Sequence, residues 1–439
     1  MAASPHVLVA GGGLAGLVAA RHLAGGGIDV TLLERHDTVG GRVRTVERDG
    51  YRFDRGFQVL FTAYPAVQRE LDLEALDLRR FAPGATIAGP DGRTTLADPL
   101  REPGTIPATL SNPVVSVGDA LRVARLWWDL RRTDPNALLE AGPDETIRAY
   151  LDERGFSDPF VEEFVAPFYG GITLDRSLST SRRIFEYTFR TLAAGEIAVP
   201  AAGMGAIPAQ LADRVREVGA TIETDVTVES VVASDGDSSS PVTVETDGGA
   251  LETDAVVVAT DPPTARELTG VDAIPTEARG CVTQYYALPP SADLETDRRL
   301  LLNATERGPN HVVPHSAVAP MYAPDGTTLI SATYLGGEGH GPRKGSDGEL
   351  ADLTRRTLES WYPSQEFDGL EALHTERVPV AQFAQPPGFR ERLPDVRDPD
   401  GPVYLAGDYM RWSSIQGAME SGRQAAKAVI DDLSRSRGR

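Results

Sequence analysis

The fold is decided by one stretch, Val7-Leu8-Val9-Ala10-Gly11-Gly12-Gly13-Leu14-Ala15-Gly16. Its first four residues are apolar and have the length of a buried parallel strand. The glycines fit the pattern G-x-G-x-x-G, and the composition predicts a helix over Leu17 to Ala24. A second β-rich run, Ile28 to Leu33, ends on Glu34. Strand, glycines, helix, strand and acid therefore occur in the order of a dinucleotide-binding βαβ unit.

Each part of this pattern has a physical role in binding a dinucleotide. Gly11 permits a tight turn, Gly13 lets the backbone approach a pyrophosphate, and Gly16 lets helix and strand pack closely. The start of the helix offers N–H groups and a positive dipole end to the phosphates. Glu34 can accept hydrogen bonds from both ribose hydroxyls and would repel a 2′-phosphate. The alternative, an ordinary glycine-rich loop, does not account for the acid at this place.

The residues after the acid narrow the choice of dinucleotide. The run from Glu34 to Arg42, ERHDTVGGR, has the form E-R-x-x-x-x-G-G-R. It resembles the flavin-containing amine oxidase superfamily, which includes amine oxidases, protoporphyrinogen oxidase and the phytoene and carotene desaturases. In that family the Gly-Gly pair and the Arg lie along the pyrophosphate and flavin side of FAD. The resemblance therefore implies FAD rather than NAD.

Three later segments also resemble motifs of this family. Asp54 to Val59 is similar to the segment that passes the reactive edge of the flavin ring; the alternative is an ordinary strand end. Val226 falls where the family holds the adenine edge with its backbone. Val403 to Asp408 and the helix starting near Ile415 resemble the closing motif, which meets the ribityl phosphate and the flavin O2 side. The implied cofactor-binding residues are Gly11, Gly13, Leu14, Ala15, Gly16, Glu34, Arg35, Gly41, Arg42, Gly56, Phe57, Val226, Gly407, Asp408 and Ile415.

Length and composition limit the architecture and the compartment. A chain of 439 residues is too long for one ordinary core, so we expect two domains. No apolar run reaches the roughly 18 residues of a membrane-spanning helix, and we expect no secretory signal. Cys281 is the single cysteine, so internal disulfides are excluded and a reduced cytoplasm is expected. No cysteine lies in a tethering position, so FAD is expected to bind noncovalently.

The charge of the chain is unusual, because the formal net charge is −21 and only Lys344 and Lys427 among 43 basic residues are lysines. An acidic surface with so little lysine indicates adaptation to a salt-rich cytosol, where screening weakens self-repulsion. The alternative is a GC-rich genome that favours arginine. Nucleic acid is not expected as a partner in either case. So many carboxylates also leave no acid–base pair that stands out, and no catalytic residue is assigned.

His311 and His315 are four residues apart, but Pro314 between them prevents a shared helix face. No metal site is therefore predicted.

Periodicity predicts helices over Tyr64 to Arg80 and over Val117 to Arg132. On the second helix we expect a polar face of Arg122, Arg125, Asp129 and Arg132 and an apolar face of Leu121, Ala124 and Trp128. Two interpretations stay open for it, a core helix with one solvated face or a helix resting on a membrane surface.

The predicted fold class is α/β, with a Rossmann-type FAD-binding domain and a discontinuous α+β substrate domain. The expected bounds are 1–80, 195–280 and 376–439 for the FAD-binding domain and 81–194 and 281–375 for the substrate domain. Glu145 to Leu174 is rich in aromatic residues, which indicates a core, although the family builds its substrate cavity there.

The resemblance implies an FAD-dependent oxidoreductase of the dehydrogenase or desaturase type. It would transfer hydride from a lipophilic substrate of isoprenoid type to flavin N5, with oxygen or a quinone as electron acceptor. The alternative is a flavin amine oxidase acting on a primary or secondary amine. Approximate alignment places Ser414 and Cys281 where amine oxidases carry an aromatic residue and a lysine, which weakens that alternative. A flavin-binding protein without net turnover is a third possibility.

Overall fold

The computed structural model describes residues 4–97, 102, 113–140, 142–234, 242–305, 307–336 and 345–437. Their strands, in chain order, are β1 His6–Ala10, β2 Asp29–Leu33, β3 Thr45–Arg48, β4 Tyr51–Asp54, β5 Leu60–Phe61, β6 Leu78–Arg80, β7 Ala85–Gly89, β8 Gly92–Leu96, β9 Ile197–Pro200, β10 Thr221–Glu223, β11 Val228–Ala233, β12 Val242–Thr246, β13 Gly249–Thr253, β14 Ala255–Val258, β15 Ala278–Leu288, β16 Leu300–Asn303, β17 His311–Val313, β18 Thr328–Leu335, β19 Glu371–Phe383 and β20 Val403–Leu405.

The α-helices of the described residues are α1 Leu14–Gly25, α2 Pro65–Glu70, α3 Val117–Arg131, α4 Pro135–Glu140, α5 Ile147–Glu153, α6 Ala166–Thr173, α7 Arg182–Ala194, α8 Ala206–Glu217, α9 Pro262–Thr269, α10 His315–Val318, α11 Asp347–Trp361 and α12 Ile415–Arg437. A π-helical segment, Phe160–Val165, runs directly into α6.

A five-stranded parallel sheet has the order β10-β2-β1-β14-β20. Every residue of β14 is buried, and β1 is buried from Val7 onward, as expected for strands covered on both faces. The helix α1 begins at Leu14, three residues before its predicted start, and packs against α12. A Cβ on Gly422 of α12 would overlap the carbonyl oxygen of Ala15, so the two helices touch backbone to backbone. The predicted βαβ unit and the α/β fold class are confirmed.

A second sheet has seven strands in the order β19-β15-β18-β17-β16-β7-β8. Its long strand β15 pairs antiparallel with β18 and with the edge strand β19, and all but three of its eleven residues are buried. The strands β15 and β19 cross the expected domain boundaries at 280/281 and 375/376. The rest of this sheet comes from the stretches expected in the substrate domain, and the domain bounds stay a prediction.

The aromatic-rich segment forms a ladder of rings at helical spacing. Phe156, Phe160, Phe164 and Phe168 stack in succession with centroids 5.3–5.6 Å apart. Tyr169 continues the ladder to Phe185 of α7, with centroids 4.6 Å apart. The first two phenylalanines are buried and the next two are half-buried, so most of the segment serves as a core between helices.

The helix predicted over Tyr64 to Arg80 is wrong beyond Glu70, where α2 ends. The Asp72 carboxylate accepts hydrogen bonds from the N–H groups of Glu74 and Ala75, which closes a turn instead. The last three residues then form β6, which pairs with β9 more than a hundred residues later. A contact so distant in sequence overrides the local preference of the leucine-rich run for a helix.

The helix α3 is confirmed, but the predicted assignment of its faces is wrong. Its start carries a capping box, in which Ser116 and Asp119 exchange hydrogen bonds between side chain and backbone. Leu126 and Leu130 are buried, whereas Leu121 and Trp128 are 68% and 48% exposed. The buried side of the helix, with Leu126 and Leu130, therefore lies near the boundary between the two predicted faces. Leu121 and Trp128, which were expected on the buried side, remain exposed to solvent.

Candidate cofactor and substrate site

The glycine-rich loop between β1 and α1 has the close contacts that its pattern predicts. Gly11 has φ +109°, and a Cβ there would lie 2.7 Å from the carbonyl oxygen of Ala259. A Cβ on Gly16 would overlap the carbonyl oxygen of Gly11. Around Gly13, in contrast, no atom lies within 4 Å of the position of a Cβ. The loop is therefore packed on one side and open at Gly13.

The N-terminus of α1 points its amides toward this open side. Gly13 is the N-cap residue and provides no side-chain hydrogen bond. The N–H of Leu17 donates to the carbonyl of Gly13 at 3.0 Å, so the amides of residues 14–16 precede the first bond within the helix. These amides and the dipole of the helix can hold an anion.

Glu34 is buried, with 5% of its surface exposed, and its carboxylate organises the loop. One oxygen accepts a hydrogen bond from the N–H of Gly12 at 2.8 Å, and the other accepts from the N–H of His36 at 3.0 Å. A carboxylate has about four acceptor positions, so two remain for hydroxyl groups. The N–H of Val226 donates to the Glu34 carbonyl at 3.0 Å, which leaves the carbonyl side of Val226 for a ligand.

The predicted Gly-Gly-Arg run lies directly on the loop. The N–H of Gly40 donates to the carbonyl of Gly12 at 2.8 Å, and a Cβ on Gly41 would lie 3.4 Å from the Cα of Gly13. Arg35, which is half exposed, reaches across to Asp261 at 3.4 Å. Asp261 follows β14, so this ion pair spans the carboxyl edge of the parallel sheet.

Arg42 joins the first motif to the last. Its guanidinium lies 2.6 Å from the Asp408 carboxylate and also donates to the carbonyl of Ala381 at 2.9 Å. Burial disfavours the charged guanidinium, but the Asp408 carboxylate outweighs this effect and raises the pKa of Arg42. The second oxygen of Asp408 accepts a hydrogen bond from Ser413 Oγ at 2.7 Å. Arg42 and Asp408 are therefore fixed relative to each other.

The start of α12 is capped by Ser414, whose Oγ accepts a hydrogen bond from the N–H of Gly417 at 2.8 Å. Ile415, the first residue of the helix, follows this cap and is half-buried. The N–H of Gly407 donates to Ser421 Oγ at 2.9 Å, which ties the end of β20 to the same helix. Ser414 thus has a structural role at the start of α12.

The backbone of the segment Gly56-Phe57 lies against β15 and β19 of the seven-stranded sheet. Gly56 has φ +80°, and a Cβ there would lie 3.7 Å from Val378 and 3.9 Å from Cys281 Sγ. The N–H of Phe57 donates to Thr283 Oγ1 at 3.3 Å. Cys281 and Val378 belong to a small apolar cluster together with Leu174, Leu335 and Ala381. Burial, with a smaller effect from Glu376, raises the pKa of Cys281 to about 11, so this thiol is protonated at neutral pH.

A buried polar network that the sequence did not reveal lies behind this segment. Asp54 accepts hydrogen bonds from Thr45 Oγ1 at 2.5 Å, the N–H of Met204 at 2.8 Å and the Tyr322 hydroxyl at 3.1 Å. The Tyr285 hydroxyl donates to the Asp54 carbonyl at 2.8 Å. Burial raises the pKa of Asp54 to about 6, although these hydrogen bonds oppose the shift.

Two buried histidines line the other side of Phe57. Its ring centroid lies 5.1 Å from His311 and 6.2 Å from His315. His315 Nε2 lies 2.8 Å from Ser331 Oγ, and its ring stacks on Tyr322. Burial lowers the pKa of His311 to about 4 and that of His315 to about 3, so both rings are neutral at physiological pH. Within the described ranges, no three His, Cys, Asp or Glu side chains group to hold a metal ion.

The residues predicted to bind the cofactor lie next to one another in a continuous series of contacts. Hydrogen bonds or close contacts lead from the loop to Glu34, from Gly13 to Gly41, and from Arg42 to Asp408. Gln58 extends the line, because its Nε2 donates to the Arg42 carbonyl at 2.9 Å. The hydrogen-bonding roles of Asp54, Thr283 and His311 have no spacing pattern in the sequence, because residues distant along the chain bring these side chains together.

The fold therefore joins a parallel-sheet βαβ unit, which carries the glycine-rich loop, to a seven-stranded sheet that contacts the segment Gly56-Phe57. The sequence profile of the family "Flavin containing amine oxidoreductase" matches residues 14–430. The chain therefore belongs to this family of flavin-dependent oxidoreductases. The chain is 31% identical to a phytoene dehydrogenase of Streptomyces griseus over 294 residues, which are 60% of this chain and 56% of that relative.

Solved structures of the same fold cover nearly the whole chain. An oxidoreductase of Methanosarcina mazei matches with a TM-score of 0.74 at 18% identity, over 96% of this chain and all of that one. A putrescine oxidase bound to putrescine matches with a TM-score of 0.69 at 16% identity, over 98% of this chain and 99% of the other. At such low identity these likenesses establish the fold alone.

Proposed function

We propose that the chain binds FAD noncovalently along the line from Gly11 to Phe57. The open position at Gly13 and the uncapped amides of α1 suit the pyrophosphate, and the two remaining acceptor positions of Glu34 suit the ribose hydroxyls. The carbonyl of Val226 lies next to Glu34 and can accept from the adenine amino group. Arg42, Asp408 and the start of α12 then hold the ribityl and flavin part. The expected division into an FAD-binding and a substrate domain belongs to this proposal.

Acid precipitation of the purified protein tests the noncovalent part of the proposal. We expect all flavin in the supernatant, identified as FAD by chromatography, because Cys281 is buried and protonated. Flavin that stays with the precipitated chain contradicts noncovalent binding, and FMN in the supernatant contradicts the role of Glu34.

We further propose that the protein is a dehydrogenase that desaturates a C–C bond in a lipophilic substrate of isoprenoid type. The bound flavin would accept a hydride at N5. The observation that carries this proposal is the apolar cluster of Cys281, Val378 and Leu174, two of whose members lie within 4 Å of the position of a Cβ on Gly56. Burial of a hydrocarbon contributes about 25 cal/mol per Å², so such a lining can bind it without a charged anchor. The electron acceptor would be oxygen or a quinone.

The amine oxidase alternative receives less support from this geometry. Such an enzyme would have an aromatic pair and a lysine facing the flavin, whereas Ser414 caps a helix and Cys281 is a buried thiol. Anaerobic mixing of the FAD-loaded protein with substrates separates the two functions. We expect polyene or isoprenoid lipids to bleach the flavin band and to gain a double bond. Bleaching by monoamines or polyamines alone, with an aldehyde as product, would establish the alternative.

We also propose that α3 brings the protein into contact with an anionic membrane surface. Val117, Leu121 and Trp128 lie along one face of this helix and are 69%, 68% and 48% exposed. Arg125 lies between them, and Arg132 stacks over the Trp128 ring at 3.8 Å. Apolar side chains combined with arginine suit the boundary between headgroups and acyl chains. No helix among the described residues has the length and apolarity required to span a bilayer.

Sedimentation with vesicles tests this contact. The variant Leu121→Ala with Trp128→Ala should bind anionic vesicles several-fold more weakly than the wild type at equal salt. Val232→Ala is the matched control, because Val232 is 56% exposed on a different element, β11. An equal loss in the control, or no loss in the α3 variant, would contradict a role for this helix.

A further inference from the structure

His311 carries a buried hydrogen-bond donor to which no group among the described residues is bonded. Asn310 Nδ2 donates to the carbonyl of Pro167 at 2.8 Å and lies 3.0 Å from His311 Nδ1. An amide nitrogen can only donate, so Nδ1 accepts and the proton of the neutral ring lies on Nε2. His311 is 3% exposed, and its Nε2 has no hydrogen-bond partner within the described part of the chain.

The ring of His311 is held beside the segment that we assign to the flavin edge. One side contacts Phe57, whose N–H is fixed by Thr283. On another side lies the end of α6, where a Cβ on Gly171 would approach Nδ1 to 3.2 Å. The backbone of His311 pairs with Thr333 in the centre of the seven-stranded sheet. The direction of the Nε2–H group is therefore set by the fold.

We propose that His311 determines substrate specificity by donating a hydrogen bond from Nε2 to an oxygen atom of the substrate. The substrate would then be a lipid that carries a hydroxyl or carbonyl group on an otherwise hydrocarbon chain. Buried donors in folded proteins nearly always have a partner, and this one lies where the proposed substrate would bind. The neighbouring cluster of Leu174, Cys281 and Val378 is apolar, so a hydrogen bond from His311 would orient a ligand that lies against this cluster. This inference rests on the proposed function.

A hydrogen-bonding group of this kind discriminates by rejecting the analogue that lacks its partner. The donor loses its interactions with water on burial, and a pure hydrocarbon offers no replacement. Two probes that differ only in one hydroxyl group therefore report on His311. Phytol and its hydrocarbon counterpart phytene form such a pair.

The experiment titrates each probe into the FAD-loaded protein and follows the change in the flavin spectrum. The wild type should bind phytol at least about tenfold more tightly than phytene. The variant His311→Phe keeps a planar ring without a donor. It should lose this preference, because phytol loses its hydrogen bond and phytene no longer leaves a buried donor without a partner. His311→Gln places an N–H group at a similar distance from the backbone, and it should restore a preference for phytol.

The outcomes separate this inference from the proposed function. A wild type that binds phytene and phytol equally contradicts the role of His311, because water then satisfies Nε2, and it leaves the proposed function intact. A preference that persists in His311→Phe contradicts it as well. A wild type that binds neither probe contradicts both proposals.

Discussion

At the scale of single residues, Glu34 holds the glycine-rich loop and presents its remaining acceptor positions to the ligand. The variant Glu34→Gln keeps the shape but removes the charge. Hydrogen bonds to a charged group contribute about 1.5–3 kcal/mol, so we expect FAD affinity to fall roughly 10- to 100-fold. Titration of the apoprotein with FAD measures this. Asp29→Asn, an exposed change in β2, the strand that precedes Glu34, is the control. Equal affinities in both variants would show that Glu34 does not contact the cofactor.

Asp54 predicts a pH dependence of stability. Its pKa is about 6 in the folded protein and 3.8 ordinarily, so the folded state binds the proton more tightly. The resulting contribution to the free energy of unfolding is complete below pH 3.8 and is lost as the pH rises through about 6. Between about pH 4.5 and 7.5 the loss amounts to roughly 2 kcal/mol.

The variant Asp54→Asn cannot titrate and preserves the acceptor for Thr45 and Met204. We therefore expect its free energy of unfolding relative to the wild type to rise by roughly 2 kcal/mol over this pH range. Urea unfolding at constant salt measures the free energy of unfolding of the variant and of the wild type. The difference between the two excludes the titration of other carboxylates, which both proteins share. A difference that is independent of pH would place the pKa of Asp54 near its ordinary value.

At the scale of elements, two glycines of one loop should respond in opposite ways to the same substitution. Gly16→Ala forces a Cβ into the carbonyl oxygen of Gly11, so we expect a loss of about 1–3 kcal/mol in stability. Gly13→Ala adds a Cβ where no atom lies within 4 Å, so the apoprotein should keep its stability. Its FAD affinity should nevertheless fall, because the pyrophosphate would approach there. Unfolding and FAD titration of both variants distinguish packing from binding, and unchanged affinity in Gly13→Ala would move the pyrophosphate elsewhere.

The elements that sequence reasoning predicted well are those whose signal is local. The strand, glycines and helix of residues 6–25 follow from period and composition. The helix predicted over Tyr64 to Arg80 is wrong at its end, because β6 is stabilised by pairing with the distant strand β9. The faces of α3 were wrong because packing partners, not the pattern alone, decide which side is buried.

The same distinction applies to the candidate site. Glycine spacing and the acid at Glu34 indicate the dinucleotide half, since each residue follows its neighbours in sequence. The family resemblance extended this to Arg42, Asp408 and Gly56. His311 and Asp54 could not be placed, because their roles depend on the register of β17 with β18 and on the distant Tyr322. Nothing in their immediate sequence specifies those contacts.

At the scale of the whole molecule, the net charge of −21 is spread over 64 acidic and 43 basic residues. Many arginines lie in surface ion pairs, such as Arg52 with Glu47 and Arg397 with Asp432. Such exposed pairs contribute little individually, about 0–1 kcal/mol, so they do not offset the general repulsion among the excess carboxylates. The folded state should therefore depend on the ionic strength of its surroundings.

We expect the melting temperature to rise steadily as KCl increases from about 0.1 M to above 1 M, because the Debye length shortens from about 10 Å to about 3 Å. Screening weakens the repulsion between distant carboxylates more than the attraction within ion pairs in contact, so the balance favours the compact state. Calorimetry across this range measures the effect, with FAD saturating throughout so that cofactor binding does not change. Tetramethylammonium chloride is the control for a specific effect of potassium, and an equal rise in both salts supports screening. A melting temperature that is flat across the range would favour a biased genome composition as the origin of the arginine-rich sequence.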